Sequence, residues 1–161
     1  MGKKWGYAVF FLDAFKGFVA VRFALFLAER LPSMQPYAAY FAMLGAIMCV
    51  FGHTYPIWLG FKGGKGVATS AGAIFGLMPL AAMIVFVIWM VVFEITRYVS
   101  VASLAAAIAL PVTVGLLMHW KMIDGFGLFY FSLILTVLVV WSHRSNFSRL
   151  IKGTEQRFVR K

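Results

Sequence analysis

The chain has 161 residues, of which 63% are hydrophobic and only 12% charged, at a mean hydropathy of +0.90. A soluble domain is about half apolar and about a quarter charged, so a water-soluble globular fold is excluded. Fifteen Lys and Arg against five Asp and Glu give a net charge of +10, but uncharged runs separate the basic residues and no basic-aromatic face could track a nucleic-acid backbone. A spanning helix needs about 20 mostly apolar residues, because 1.5 Å per residue must cover roughly 30 Å of hydrocarbon. The pattern predicts a first helix over Trp5–Leu27, which carries Asp13, Lys16 and Arg22, and a second over Tyr37–Phe51 after Pro32 and Pro36. Val67–Phe93 reads either as one long kinked helix or as two broken at Met78-Pro79. Helices over Ser100–Met118 and Phe126–Ser142 follow, separated by Lys121, Asp124 and Gly125.

Charge placement decides the ambiguous stretch. With one helix over Val67–Phe93, the tail after His143 falls on the side opposite Lys3, Lys4, Lys62 and Lys65. That tail holds Arg144, Arg149, Lys152, Arg157, Arg160 and Lys161 against Glu155 alone. Two helices bring all these clusters and Arg97 to one face, as the positive-inside rule requires, leaving Arg30 and Lys121 outside. The expectation is therefore an all-α, polytopic transmembrane helical bundle of about six membrane segments, with Gly52–Gly66, Glu94–Val99 and the tail on the cytoplasmic side. Residues 1–161 read as one integral membrane domain, without repeats or low-complexity linkers. A single cysteine, Cys49, excludes a disulfide framework and a Cys-based zinc site. The apolar stretch after the N-terminal residues is too long for a signal peptide and has no small-residue cleavage pattern.

The most informative segment is Gly52-His53-Thr54-Tyr55-Pro56 followed by Phe61-Lys62-Gly63-Gly64-Lys65-Gly66-Val67-Ala68-Thr69. Glycines allow successive backbone N–H groups to converge on an anion, because no Cβ blocks the approach. Val67 begins a predicted helix whose N-terminal amides and dipole favour negative charge, and Lys62 and Lys65 add full charges. The design suits a phosphate-sized anion at a membrane surface. It is not a nucleotide-binding P-loop, since Gly66 rather than Ser or Thr follows Lys65 and Leu59 stands where the first Gly belongs.

His143-Arg144-Ser145-Asn146 forms a second constellation where the last helix meets the interface; a histidine there can move a proton and an Asn can bind a hydroxyl or phosphate. The same stretch also reads as an interfacial basic anchor. Asp13 and Lys16, at i and i+3 within a span, read as a structural ion pair. Arg97 precedes Ser100 and Ser103, with Ser100 either an N-cap or a ligand contact. His119-x-x-x-x-Asp124 fits a short acyltransferase pattern by chance and sits on the outer side. His53, His119 and His143 lie on separate segments without a second ligand at metal-binding spacing, so no metal and no cofactor are expected. Neither a Ser/His/Asp triad nor a cysteine nucleophile is evident, which favours direct transfer over an acyl-enzyme.

Leu12-Asp13-Ala14-Phe15-Lys16-Gly17, Gly52-His53 through Thr69, Thr96 through Leu104 and His143 through Glu155 together resemble the bacterial acyl-phosphate:glycerol-3-phosphate acyltransferase family (PlsY). The resemblance implies transfer of a fatty acyl group from acyl phosphate to the 1-hydroxyl of glycerol 3-phosphate. The product would be lysophosphatidic acid, at the cytoplasmic face of the bacterial inner membrane. It implies that Lys62, Gly63, Gly64, Lys65, Gly66 and Thr69 hold substrate phosphate with His53, that Arg97 and Ser100 assist binding, and that His143 and Asn146 sit at the reacting centre. Glu155 is expected to be structural, and membrane lipids are the surrounding partners. Family members have seven helices, the first followed by an S-G-N-x-G-A-x-N-type loop. The sequence as given begins after that loop, so this motif is expected from a preceding segment or a second chain. The alternative is a catalytically degenerate membrane protein that keeps a phosphate or lipid site.

Overall fold

The computed structural model describes residues 3–159, and no strand occurs among them. In chain order the helices are α1 (Lys3–Arg30), α2 (Ala38–Thr54), α3 (Val67–Leu77), α4 (Pro79–Thr96), α5 (Val99–His119), α6 (Phe126–Ser142) and α7 (Arg144–Ile151), with 3-10 turns at Gln35–Tyr37 and Ile57–Leu59. Arg160, Lys161 and the side chains of Lys3 and Lys4, counted above in the charge argument, lie outside the described residues. The six expected helices are present in order. The break at Met78-Pro79 is real: Met78 leaves the helical region at φ −138° and ψ 71°, because a following proline ring disfavours α backbone in the residue before it. The short helix α7 is an addition, since the segment after His143 was expected only as a tail.

Gln35–Leu59, Pro79–Thr96 and Val99–His119 are long and apolar enough to cross a bilayer, and Phe126–Ser142 with Arg144–Ile151, bent by 53°, makes a fourth candidate. Side chains such as Phe11, Phe15, Val87, Val112 and Val137 are exposed on the helix surfaces. Such apolar exposure is suited to lipid and costly in water. The two remaining helices are unlike the others. α1 is long but carries Asp13, Lys16 and Arg22 within its apolar stretch, and α3, at 11 residues, covers only about 16 Å at 1.5 Å per residue.

The chain divides into two compact units, one up to Ala82 and one from Met83 onward. In the first, α1 packs on α2 and, most closely, on α3. Small residues make that approach feasible. A Cβ on Gly17 would overlap the Thr69 carbonyl, and one on Gly72 would overlap the Ala14 carbonyl. Val21, Ala42, Ala46, Val50 and Ala73 fill the core between these helices. In the second unit α5 packs on α6 around Leu110, Val114, Phe131 and Leu135. Pro111 lies inside α5 and cannot donate to the carbonyl four residues earlier. That carbonyl, of Ala107, instead accepts the Thr136 hydroxyl from α6 at 2.7 Å.

Candidate functional site

The first unit contains the glycine-lysine loop. α2 ends at Thr54, and Pro56 opens the Ile57–Leu59 turn. Gly60 and Phe61 then take left-handed backbone at φ 58° and 61°, which reverses the chain. The returning strand of loop lies against the end of α2: the Gly63 N–H donates to the Thr54 carbonyl at 3.1 Å and the Gly64 N–H to the His53 carbonyl at 3.2 Å. A Cβ on Gly63 would overlap that His53 carbonyl, and a Cβ on Gly64 would overlap the His53 ring. These glycines are thus required by close packing. The expectation that the loop amides converge on an anion is corrected here, since the Lys62, Gly63 and Gly64 N–H groups all donate to backbone carbonyls.

What remains for an anion lies just downstream. Gly66 is the left-handed N-cap of α3, at φ 76°, and no side chain caps the helix. Its first-turn amides therefore have no side-chain acceptor, and the positive end of the helix dipole points at the loop. Lys62 and Lys65 are exposed beside it. Thr69 and Ser70, in the first turn, are buried, and neither hydroxyl has a hydrogen-bond partner. Ser70 was not singled out from sequence, although its position beside Thr69 after the loop was the available signal. Behind the loop, Lys16 Nζ lies 2.6 Å from Asp13 and 2.7 Å from His53 Nδ1, with Asp13 3.5 Å from the same nitrogen. The expected Asp13–Lys16 pair is present, and its third member is a histidine 37 residues away in sequence.

The second unit gathers Arg97, Ser100, His143, Asn146 and Glu155. Arg97 joins α4 to α5 in left-handed backbone at φ 62°, an unfavourable conformation for a non-glycine residue. Its carbonyl accepts the Phe158 N–H at 2.8 Å, and the Phe158 ring packs edge-on against Phe93. One guanidinium nitrogen pairs with Glu94 at 2.7 Å, while Nη1 is buried and without a partner. Ser100 is not the N-cap of α5; Tyr98 holds that position, and the Ser100 hydroxyl is buried inside the first turn, near the Glu155 carboxylate. Ser103 is already engaged, accepting the Trp89 indole N–H.

His143 caps α6 and is 2% exposed. Its Nδ1 lies 2.8 Å from the Val139 carbonyl. A carbonyl only accepts, so Nδ1 carries the proton and Nε2 is the basic nitrogen of the neutral ring. The bend between α6 and α7 turns Asn146 inward, where its Nδ2 donates to Glu155 at 2.6 Å and its Oδ1 stays buried without a partner. Arg149 donates to the other Glu155 oxygen at 2.7 Å. Burial pushes the Glu155 carboxyl up, but the Ser100 hydroxyl lying near it and the Asn146 and Arg149 bonds outweigh that, holding it down at about 2. Glu155 thus orients Asn146 as an anchor. Among the described residues no group of three His, Cys, Asp or Glu side chains is placed to hold a metal.

A family profile described as glycerol-3-phosphate acyltransferase matches residues 1–153. Glycerol-3-phosphate acyltransferase of Desulforamulus reducens is 38% identical over all of this chain and 74% of its own length. That of Aquifex aeolicus is 34% identical, over 98% of this chain and 76% of its own, and that of Staphylococcus aureus strain Newman 36%, over 98% and 75%. Two crystal structures of PlsY (YgiH), an integral membrane glycerol 3-phosphate acyltransferase, are also similar. The glycerol 3-phosphate form is 34% identical with a TM-score of 0.81, covering 99% of this chain and 74% of that one. The lysophosphatidic acid form has a TM-score of 0.79 at the same identity, over 98% and 74%.

Proposed function

We propose that this chain, which belongs to the glycerol-3-phosphate acyltransferase family, transfers a fatty acyl group from acyl phosphate to the 1-hydroxyl of glycerol 3-phosphate. It is an integral membrane acyltransferase. Residues 1–161 act as one catalytic domain in the bacterial inner membrane, with the basic loops and the reaction at the cytoplasmic face. Its partners are the two phosphates and the surrounding lipid, and no nucleic acid takes part.

The observation that carries this reading is the placement of unsatisfied polar atoms. Thr69 Oγ1, Ser70 Oγ, Arg97 Nη1 and Asn146 Oδ1 are buried without partners, and all four fall in the segments with cationic or catalytic side chains. An unpaired buried polar atom costs about 1–3 kcal/mol, so four of them are hard to retain unless a polar ligand satisfies them. Phosphate accepts from hydroxyls, ammonium and guanidinium groups, while Asn146 Oδ1 can accept only from a donor such as a substrate hydroxyl.

In the reaction the 1-hydroxyl oxygen attacks the acyl carbonyl carbon. A new C–O ester bond forms, the acyl carbon–phosphate oxygen bond breaks, and orthophosphate leaves with the bond's electron pair. The hydroxyl proton passes to a weak base, either His143 Nε2 or an oxygen of a substrate phosphate. Lys62, Lys65 and the first turn of α3 bind phosphate and favour its departure, and Arg97 and Ser100 hold the polar substrate. Because the donor is already activated, no acyl-enzyme is needed. Acyl transfer in liposomes with palmitoyl phosphate and labelled glycerol 3-phosphate tests this. Lysophosphatidic acid is expected from the unaltered chain. Lys65→Ala should lower kcat/KM about 10- to 100-fold through loss of a charge-assisted contact. His143→Ala should cost at least about 100-fold if the ring is the base, and an unchanged rate would assign that role to substrate phosphate.

A further inference from the structure

The Asp13–Lys16–His53 set lies outside the reaction just described, yet its geometry fixes the chemistry of one ring. Lys16 Nζ is 2.7 Å from His53 Nδ1 and 2.6 Å from Asp13. An ammonium group has protons and no lone pair, so at that distance Nδ1 must be the acceptor. The ring is then neutral and its proton sits on Nε2. Nε2 is the atom that abuts Gly64, whose missing Cβ leaves room for it, and among the described residues it makes no hydrogen bond. The competing arrangement is explicit: Asp13, 3.5 Å from Nδ1, would draw a proton onto Nδ1 if Lys16 did not stand between them.

We propose that Asp13 and Lys16 are positioning residues that hold His53 in its Nε2–H form, directing that donor at the Gly63-Gly64 turn to bind substrate phosphate. The ligand half of this rests on the reading of the loop as a phosphate site, and the tautomer half stands on the three distances. The arrangement explains why two charges remain in the middle of α1, where a charged side chain is costly without a task. It also explains why Gly64 faces the ring. The Lys16 charge reaches the loop indirectly, through a neutral donor that a phosphate can approach closely.

Nitrogen-15 NMR of the full chain in detergent, labelled at histidine and assigned with His53→Gln, reads the tautomer directly. The expected spectrum has an unprotonated Nδ1 and a protonated Nε2, with the Nε2 resonance moving on titration with inorganic phosphate. The paired change Asp13→Asn with Lys16→Met removes both charges together and leaves neither unpaired. It should give a ring exchanging between tautomers and an approximately tenfold higher KM for a phosphate substrate at nearly unchanged kcat. In a His53→Gln background, where the side-chain amide provides a donor without the relay, the same paired change should leave KM alone. A merely structural role would instead lower the yield of active protein equally in both backgrounds. Protonated Nδ1 in the unaltered chain, or no movement of Nε2 with phosphate, overturns the proposal. The Nε2–H signature and its phosphate response in a chain that transfers no acyl group would support it while overturning the proposed reaction.

Discussion

At Glu155 three side chains converge on one carboxylate, and the consequence for pH can be given a sign. Its pKa lies at about 2 against an ordinary 4.5, so the folded state favours the ionised form. A depressed carboxyl contributes stability above its unfolded value and loses that contribution as pH falls through the folded one. The junction of α7 with the tail should therefore keep its stability through neutral pH and lose it between 4.5 and about 2. Glu155→Gln removes the Arg149 ion pair and weakens the hold on Asn146, and should destabilise by about 2 kcal/mol. Thermal unfolding of both chains at pH 7 and near the acid limit checks this, with the difference between them shrinking in acid. The residues that meet here were legible as a motif, with Glu155 read as structural. Its contacts were not, because the nine-position step from Asn146 to Glu155 gives no periodicity from which a turn back onto α7 could be inferred.

The helices themselves were readable because lipid demands long apolar segments and charges interrupt them. The end of α3 at Met78-Pro79 followed from the same local rule that breaks any helix before proline. By contrast, α7 is short and polar, and its helical signal, Phe147, Leu150 and Ile151 at i, i+3 and i+4, spans a single turn and was read as tail. Of the two readings left open for Ser100, the N-cap falls, although hydroxyls at helix starts commonly serve that purpose; here Tyr98 sits at the boundary. The α5–α6 contact at Thr136 illustrates a dependence that only tertiary structure reveals. Pro111 frees the Ala107 carbonyl, and Thr136 satisfies it at 2.7 Å. Thr136→Val, similar in shape, should therefore cost about 1 kcal/mol of stability in detergent. In a Pro111→Ala background α5 can make its own bond, and the same change should cost almost nothing. Equal losses in the two backgrounds would contradict this account.

Over the whole molecule, the net charge of +10 is a membrane signature first and a substrate signature second. Most basic residues flank spans, and Arg144 lies over the Trp141 ring at 5.3 Å, an aromatic-cation pairing suited to a headgroup boundary. Lys62, Lys65 and Arg97 instead belong to the segments that hold the glycine turn or buried unsatisfied atoms, and Lys16 reaches that turn through His53. That separation was partly visible in the sequence, where the glycine-lysine string stood out from the flanking charges. The link from Lys16 to His53 was not, since a contact across 37 positions leaves no trace in a single chain. The central claim is acyl transfer from acyl phosphate, and phosphorus-31 NMR of the liposome-embedded chain tests it in one sample. The acyl phosphate resonance should decline while orthophosphate and lysophosphatidic acid rise in equal amounts. Orthophosphate rising without lysophosphatidic acid would reveal hydrolysis instead, and an unchanged spectrum would show no transfer; either result contradicts the account.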